Sequence, residues 1–181
     1  MARPAEELHA DGLEIRRYER EDAPRLHTAI IESIEHLRPW MPWVAAEPLT
    51  LEQREELIMG RFDAGWSDET DFGYGLFVDD LVVGGCGLHR RIGTDGLEIG
   101  YWVHVDHIGR GFATAAAGAL CSAAFALDGI SHVEIHHDKA NTRSRRVPEK
   151  LGFALVREVP DDIAAPAEIG ISCEWRRDRP D

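Results

Sequence analysis

Apolar and polar positions alternate in several short runs and shift to a helical period in others. Leu13-Glu14-Ile15-Arg16-Arg17-Tyr18 alternates and predicts a first strand. Leu26, Ile30, Ile34 and Leu37 recur at helical spacing, behind Glu21-Asp22-Ala23-Pro24, an acidic, proline-bearing helix start. Thr50 to Trp66 predicts a second helix, with Thr50 as N-cap and Gln53 three residues on. Phe72 to Val78 and Leu81 to Leu88 are two strands meeting at Asp79-Asp80, a hairpin signal. The run Gly84-Gly85-Cys86-Gly87 inside the second strand invites a bulge or a close backbone approach. His132 to His136, Phe153 to Glu158 and Ile169 to Trp175 predict further strands, and Asn141 to Leu151 a helix closed by Gly152.

The stretch Glu98 to Phe125 changes period in its middle. It reads as a strand up to Val105 and as a helix from Gly111, with Ala115, Leu120, Ala123, Ala124 and Leu127 as a small-residue stripe. Between the two lies Asp106-His107-Ile108-Gly109-Arg110-Gly111-Phe112-Ala113-Thr114. A glycine-bearing turn from strand to helix leaves backbone N–H groups unpaired at the positive end of the helix dipole, a place suited to phosphate oxygens. For Gly-x-Gly alone, a tight connection without a ligand is the better explanation. Neither the P-loop nor the three-glycine dinucleotide motif is present.

Three segments together resemble one family. Ile108-Gly109-Arg110-Gly111-Phe112-Ala113, followed by Thr114, is similar to the pyrophosphate loop of GCN5-related N-acetyltransferases, Gln/Arg-x-x-Gly-x-Gly/Ala, with Ile108 departing at the first position. Asn141-Thr142-Arg143-Ser144 with Lys150-Leu151-Gly152-Phe153 resembles a signature of the RimJ/RimL-type branch, and Leu37-Arg38-Pro39-Trp40-Met41-Pro42-Trp43 its N-terminal Leu-x-Pro-Trp segment. The resemblance implies acetyl-CoA as co-substrate. Its pantetheine would pair with the main chain of Trp102, Val103 and Val105, where the central strands splay, and its diphosphate would sit on Ile108 to Thr114. Asn141 and Ser144 would lie near the pantetheine and the sulfur. Trp40 and Trp43 would wall the acceptor pocket, although a loop pinned to the core by aromatics explains them equally. The acceptor implied is a primary amine, on a protein N-terminus or a small molecule, and family members often dimerise, which leaves a homodimer open.

Both lines of reading give one fold class, α/β (α+β): a mixed, mostly antiparallel sheet of about seven strands with about four helices on its faces. Residues 1–10 are expected to be a flexible tail and 11–178 a single domain, without repeats or linkers.

Composition narrows the function. The chain has 181 residues, with 20 basic and 33 acidic side chains and a formal net charge of −13. Nucleic-acid binding over a broad face is disfavoured, and an acidic rim suits a cationic acceptor or simply solubility. No apolar run is long enough for a membrane span and the N-terminus lacks a signal-peptide segment, so a cytoplasmic location is the default. Cys86, Cys121 and Cys173 lie in apolar contexts and read as buried free thiols.

Acetyl transfer needs a neutral amine, a stabilised oxyanion and a protonated leaving thiolate. A main-chain N–H near Val103 is the candidate oxyanion donor. Ser144 is the candidate to hydrogen-bond the thiolate, against the alternative of a first-turn serine satisfying its own helix. Pro148 frees the Ser144 carbonyl if the helix begins at Asn141. His132, Glu134 and His136 share one strand face; Glu134 and His136 are the candidate bases, against solvated sheet residues. No metal is expected: His136 and His137 are neighbours on a strand, and Cys-x-x-Cys is missing.

Overall fold

The computed structural model describes residues 3–180. The strands are β1 (Glu7–Ala10), β2 (Leu13–Arg16), β3 (Asp71–Val78), β4 (Leu81–His89), β5 (Gly96–Val103), β6 (His132–Asp138), β7 (Ala154–Pro160) and β8 (Ile171–Asp178). They form one sheet in the order β1-β2-β3-β4-β5-β6-β8-β7. Every pairing is antiparallel except β5 with β6. The helices are α1 (Ala23–Leu37), α2 (Leu51–Leu57), α3 (Asp63–Ser67), α4 (Phe112–Phe125) and α5 (Thr142–Lys150). A π-turn over Ile58–Phe62 joins α2 and α3 into one rod, so the rods number four. The α/β (α+β) expectation therefore holds, with eight strands where about seven were expected.

The extra strand is β1, which corrects the tail expected over residues 1–10. Residues 1 and 2 lie outside the described residues, but Glu7–Ala10 pair with β2. The turn between them, Asp11-Gly12, has φ of 47° and 79°, the left-handed geometry that matches hairpin twist. Asp79 and Asp80 adopt the same geometry (φ 46° and 64°) between β3 and β4, as their sequence predicts. Tyr74 anchors the chain ahead of β1 by donating its hydroxyl to the Ala5 carbonyl at 2.9 Å.

Two apolar layers flank the sheet. α4 and α5 cover one face through Ala116, Ala117, Leu120, Cys121, Ala124 and Val147, against Leu97, Ile99, Val133 and Ile135. α1 covers the other through Leu26, Ala29 and Ile30, with Ile58, Tyr18, Phe77 and Val82. The capping box predicted at Thr50 and Gln53 opens α2. All three cysteines are buried free thiols, as expected. The glycine run of β4 is a close approach: a Cβ on Gly85 would stand 2.5 Å from the Trp102 indole nitrogen, and one on Gly84 would stand 2.4 Å from the Trp102 carbonyl.

The sheet splits in its middle. β5 and β6 pair only at Gly96, Leu97 and Glu98 against His132, Val133 and Glu134. Beyond that point β5 stays with β4 up to Val103, while β6 stays with β8 up to Asp138. Each strand keeps its outer partner, so a wedge opens between them.

Candidate active site

The inner edge of the wedge carries unpaired main chain. The His104 amide donates to the Val83 carbonyl at 2.9 Å. By strand alternation, Trp102 and Gly100 also turn their polar groups toward β4, which leaves those of Tyr101 and Val103 facing the wedge. The strand stops sooner than its sequence predicts. Val105 lies in a 3-10 turn over Val105–His107, and its amide donates to Ser33 Oγ at 3.1 Å. The expectation that Val105 pairs with pantetheine is corrected accordingly, because α1 takes that amide. Trp102 is displaced from the role too, its polar groups facing β4. Val103 keeps it.

The turn is clamped from α1. His104 is buried; its Nδ1 accepts the Asp106 amide at 3.1 Å and its Nε2 lies 2.9 Å from Glu32 Oε2. The Asp106 bond fixes the neutral tautomer, so Nε2–H donates to Glu32. Past this clamp, among the described residues, the amides of Gly109, Arg110, Gly111, Phe112, Ala113 and Thr114 have no hydrogen-bond partner. Gly109 (φ 78°) and Gly111 (φ 87°) sit in left-handed conformation, and a Cβ at either would meet nothing within 4 Å. Ile108 is 39% exposed beside them. Arg110 donates to the Asp106 carbonyl at 3.3 Å. This row of bare N–H groups at the start of a 14-residue helix is the geometry that binds a diphosphate.

Across the wedge, Asn141 caps α5 by accepting the Ser144 amide on its Oδ1 at 3.1 Å. Ser144 Oγ lies 2.9 Å from the Tyr101 hydroxyl, which also donates to the Ser144 carbonyl at 3.2 Å. Burial pushes the Tyr101 phenol up to about 12, the Ser144 hydrogen bond working against it.

On the opposite sheet face a polar network spans β5, β6 and β8. His136 Nε2 lies 2.7 Å from Glu134 Oε2 and its Nδ1 lies 3.8 Å from Glu98 Oε2. Arg91 grips Glu98 with two bonds of 2.7 Å. Burial raises the Glu98 carboxyl, but Arg91 more than offsets this and leaves it below the usual carboxylate range. Arg157 bonds Glu174. Glu134, His136 and Glu174 bring ligand atoms within 4.8 Å of one another, a grouping assembled from two strands. His136 and Arg157 already engage its two carboxylates.

Two loops roof this face. Trp43, 37% exposed, stacks edge-on against Trp102 with ring centroids 6.2 Å apart. Trp40 is half-buried on the same loop. The Ala167 amide donates to the Pro39 carbonyl at 3.0 Å, joining the loop before β8 to the tryptophan segment. Asp138 anchors that loop's far end: Oδ2 accepts the amides of Ile169, Gly170 and Ile171, and Oδ1 accepts that of Ala140. Glu168 caps the amides of Ala164 and Ala165 within the loop.

Sequence reasoning brought Ser144, Val103 and the glycine loop to one wedge. It missed Tyr101, Glu98, Ser33, His104 and Asp138. Glu98 alone left a signal, since it shares strand parity with Trp102.

Residues 12–154 match the family model described as "Acetyltransferase (GNAT) domain". The chain is 32% identical over 144 residues to the "Putative ribosomal N-acetyltransferase YdaF" of Bacillus subtilis (strain 168), covering 79% of this chain and 78% of that protein. Two solved structures share the fold at lower identity. One is RimL, a ribosomal L7/L12 alpha-N-protein acetyltransferase in complex with coenzyme A (TM-score 0.86, 17% identity, 96% of this chain and 98% of that one). The other is the microcin C7 self-immunity acetyltransferase MccE in complex with acetyl-CoA and AMP (TM-score 0.84, 15% identity, 93% of each chain).

Proposed function

The chain belongs to the GNAT acetyltransferase family as an acetyl-CoA-dependent enzyme, and from that premise we propose that it passes the acetyl group directly to a primary amine in a ternary complex. One observation carries the reading. A wedge edged by free main chain at Tyr101 and Val103 runs to a helix start with six bare amides.

The wedge separates two chemical compartments. The coenzyme enters from the α4–α5 side, with its diphosphate on Ile108 to Thr114 and its sulfur toward Ser144. Asn141, spent on its cap, contributes by fixing that serine. The acceptor enters from the opposite face, past Trp43 and Trp40. His136 removes the ammonium proton, with Glu134 orienting the ring, and the neutral amine attacks the thioester carbonyl. The Val103 amide donates to the oxyanion. The tetrahedral intermediate then loses the second proton of its nitrogen to solvent and collapses, the C–S bond breaks, and Ser144 donates a hydrogen bond to the departing thiolate. Of the three carboxylates on the acceptor face, Arg91 and Arg157 hold Glu98 and Glu174, which leaves Glu134 beside His136 to favour a cation there.

The acceptor is a protein N-terminal amine or a small amine. The names of YdaF and RimL support the first. The test is coenzyme A release against a panel of N-terminal peptides and small amines. Turnover lowered at least 100-fold by His136→Gln supports the reading. Tight acetyl-CoA binding without turnover on any acceptor overturns it in favour of an acyl-CoA-binding module.

A further inference from the structure

We infer that Tyr101 is a positioning residue that sets which way the Ser144 hydroxyl proton points, and that Pro148 holds this choice in balance. The inference rests on the placement of Ser144 beside the coenzyme sulfur proposed above.

In a regular helix the carbonyl of Ser144 would accept the amide of residue 148, four positions on. Residue 148 is proline and has no amide, yet α5 runs on through it to Lys150. The carbonyl of Ser144 is thus orphaned by its own helix. Its partner comes from the sheet: the Tyr101 hydroxyl, 3.2 Å away. The same hydroxyl lies 2.9 Å from the Oγ of the same serine. A single phenolic proton therefore faces two acceptors.

Two arrangements follow. In the first, Tyr101 donates to the Ser144 carbonyl and its own oxygen accepts the Ser144 hydroxyl proton. Ser144 then has nothing to offer the sulfur. In the second, Tyr101 donates to Ser144 Oγ, which leaves the serine proton free and more acidic by cooperative polarisation. Only the second gives the leaving thiolate a donor. Burial holds Tyr101 protonated across the physiological range, so it supplies orientation and not a net proton. Nothing is oxidised or reduced. The serine keeps its proton, which stays hydrogen-bonded to the thiolate until solvent protonates the free coenzyme.

The readout is the bound coenzyme's own thiol. A hydrogen bond to a charged form lowers its pKa. Coenzyme A is bound to the protein and its thiolate absorbance is followed against pH, with the coenzyme-free protein subtracted. The expected result is a bound thiol titrating below the free one. Ser144→Ala moves it back up by about one unit, and Tyr101→Phe, which removes both the polarising donor and the competing acceptor, moves it off the wild-type value while coenzyme A affinity stays within about threefold. Pro148→Ala restores an amide to the Ser144 carbonyl, releases Tyr101 for Oγ, and moves the thiol further down. Equal titration in wild type, Tyr101→Phe and Pro148→Ala, with coenzyme A bound to all three, overturns the inference and leaves the acetyltransferase reading standing. Failure of the wild type to bind coenzyme A overturns both. Should Tyr101→Phe unfold, opposite shifts in Pro148→Ala and Ser144→Ala support the inference, and identical titrations in those two variants overturn it.

Discussion

Ser33 accepts the amide of Val105 at 3.1 Å across 72 positions of sequence. The serine is fully buried in the middle of α1, and the amide is the last one on the inner edge of the wedge. That bond closes the wedge where the phosphate loop begins. Ser33→Ala strands a buried amide and is expected to cost about 1–3 kcal/mol in urea unfolding. Coenzyme A affinity should fall with it, because the turn before Ile108 loses its tie to α1.

Gly111 tests the loop itself. Its φ of 87° strains any side chain, and the space around its Cβ position is open. Gly111→Ala should lower stability by about 1–2 kcal/mol. A larger loss of coenzyme A affinity is expected by calorimetry, since the new methyl group stands among the bare amides. An affinity loss no larger than the stability loss would count against diphosphate binding there.

The tryptophan segment is fixed by a buried ion pair. Arg54 Nη2 meets both Glu47 oxygens at 2.8 Å, with side chains 1% and 2% exposed. Glu47 also accepts the Leu49 amide at 2.9 Å. Arg54→Met leaves a buried carboxylate alone and should cost about 3–5 kcal/mol. The double variant Arg54→Met/Glu47→Leu should recover most of that in the same denaturation series.

Acid should weaken the fold near neutrality. His137 is buried; its Nδ1 donates to the Asp138 carbonyl at 2.8 Å and its Nε2 accepts Trp175 Nε1–H at 3.0 Å. Burial lowers its pKa, as burial does for His36 and for His107, with Arg143 and Arg110 respectively adding to the effect. A depressed folded-state pKa means the unfolded chain binds protons first. The stabilisation is complete above the ordinary histidine value of 6.5 and is lost as pH falls below it toward the folded values. Unfolding free energies between pH 5 and 8 should show this slope, and His137→Gln should flatten it.

Local signals were readable where a residue's reason lies within a few positions of it. The Asp79-Asp80 hairpin, the Thr50–Gln53 box, the left-handed glycines and the orphaned carbonyl beneath Pro148 all follow from backbone geometry over short spans. β1 escaped because its residues are half-exposed or exposed and its register depends on one Asp-Gly turn. The end of the central strand was misplaced for a different reason. Val105 continues the alternation, but a hydroxyl from α1 and the His104 imidazole bend the chain there, and neither leaves a trace in local pattern. The Glu98–His136–Glu134 network likewise depends on the parallel register of two strands 36 residues apart, as the facing of Gly96 with His132 sets it.

Asp138 holds the turn that carries Asn141 and Ser144 with one carboxylate oxygen and the base of the roofing loop with the other. The donor-side geometry is thereby moored independently of whatever residues lie between Asp161 and Glu168. That intervening stretch can be exchanged or resized without moving Asn141 or Ser144, provided both moorings, Asp138 and the Pro39 carbonyl, are kept.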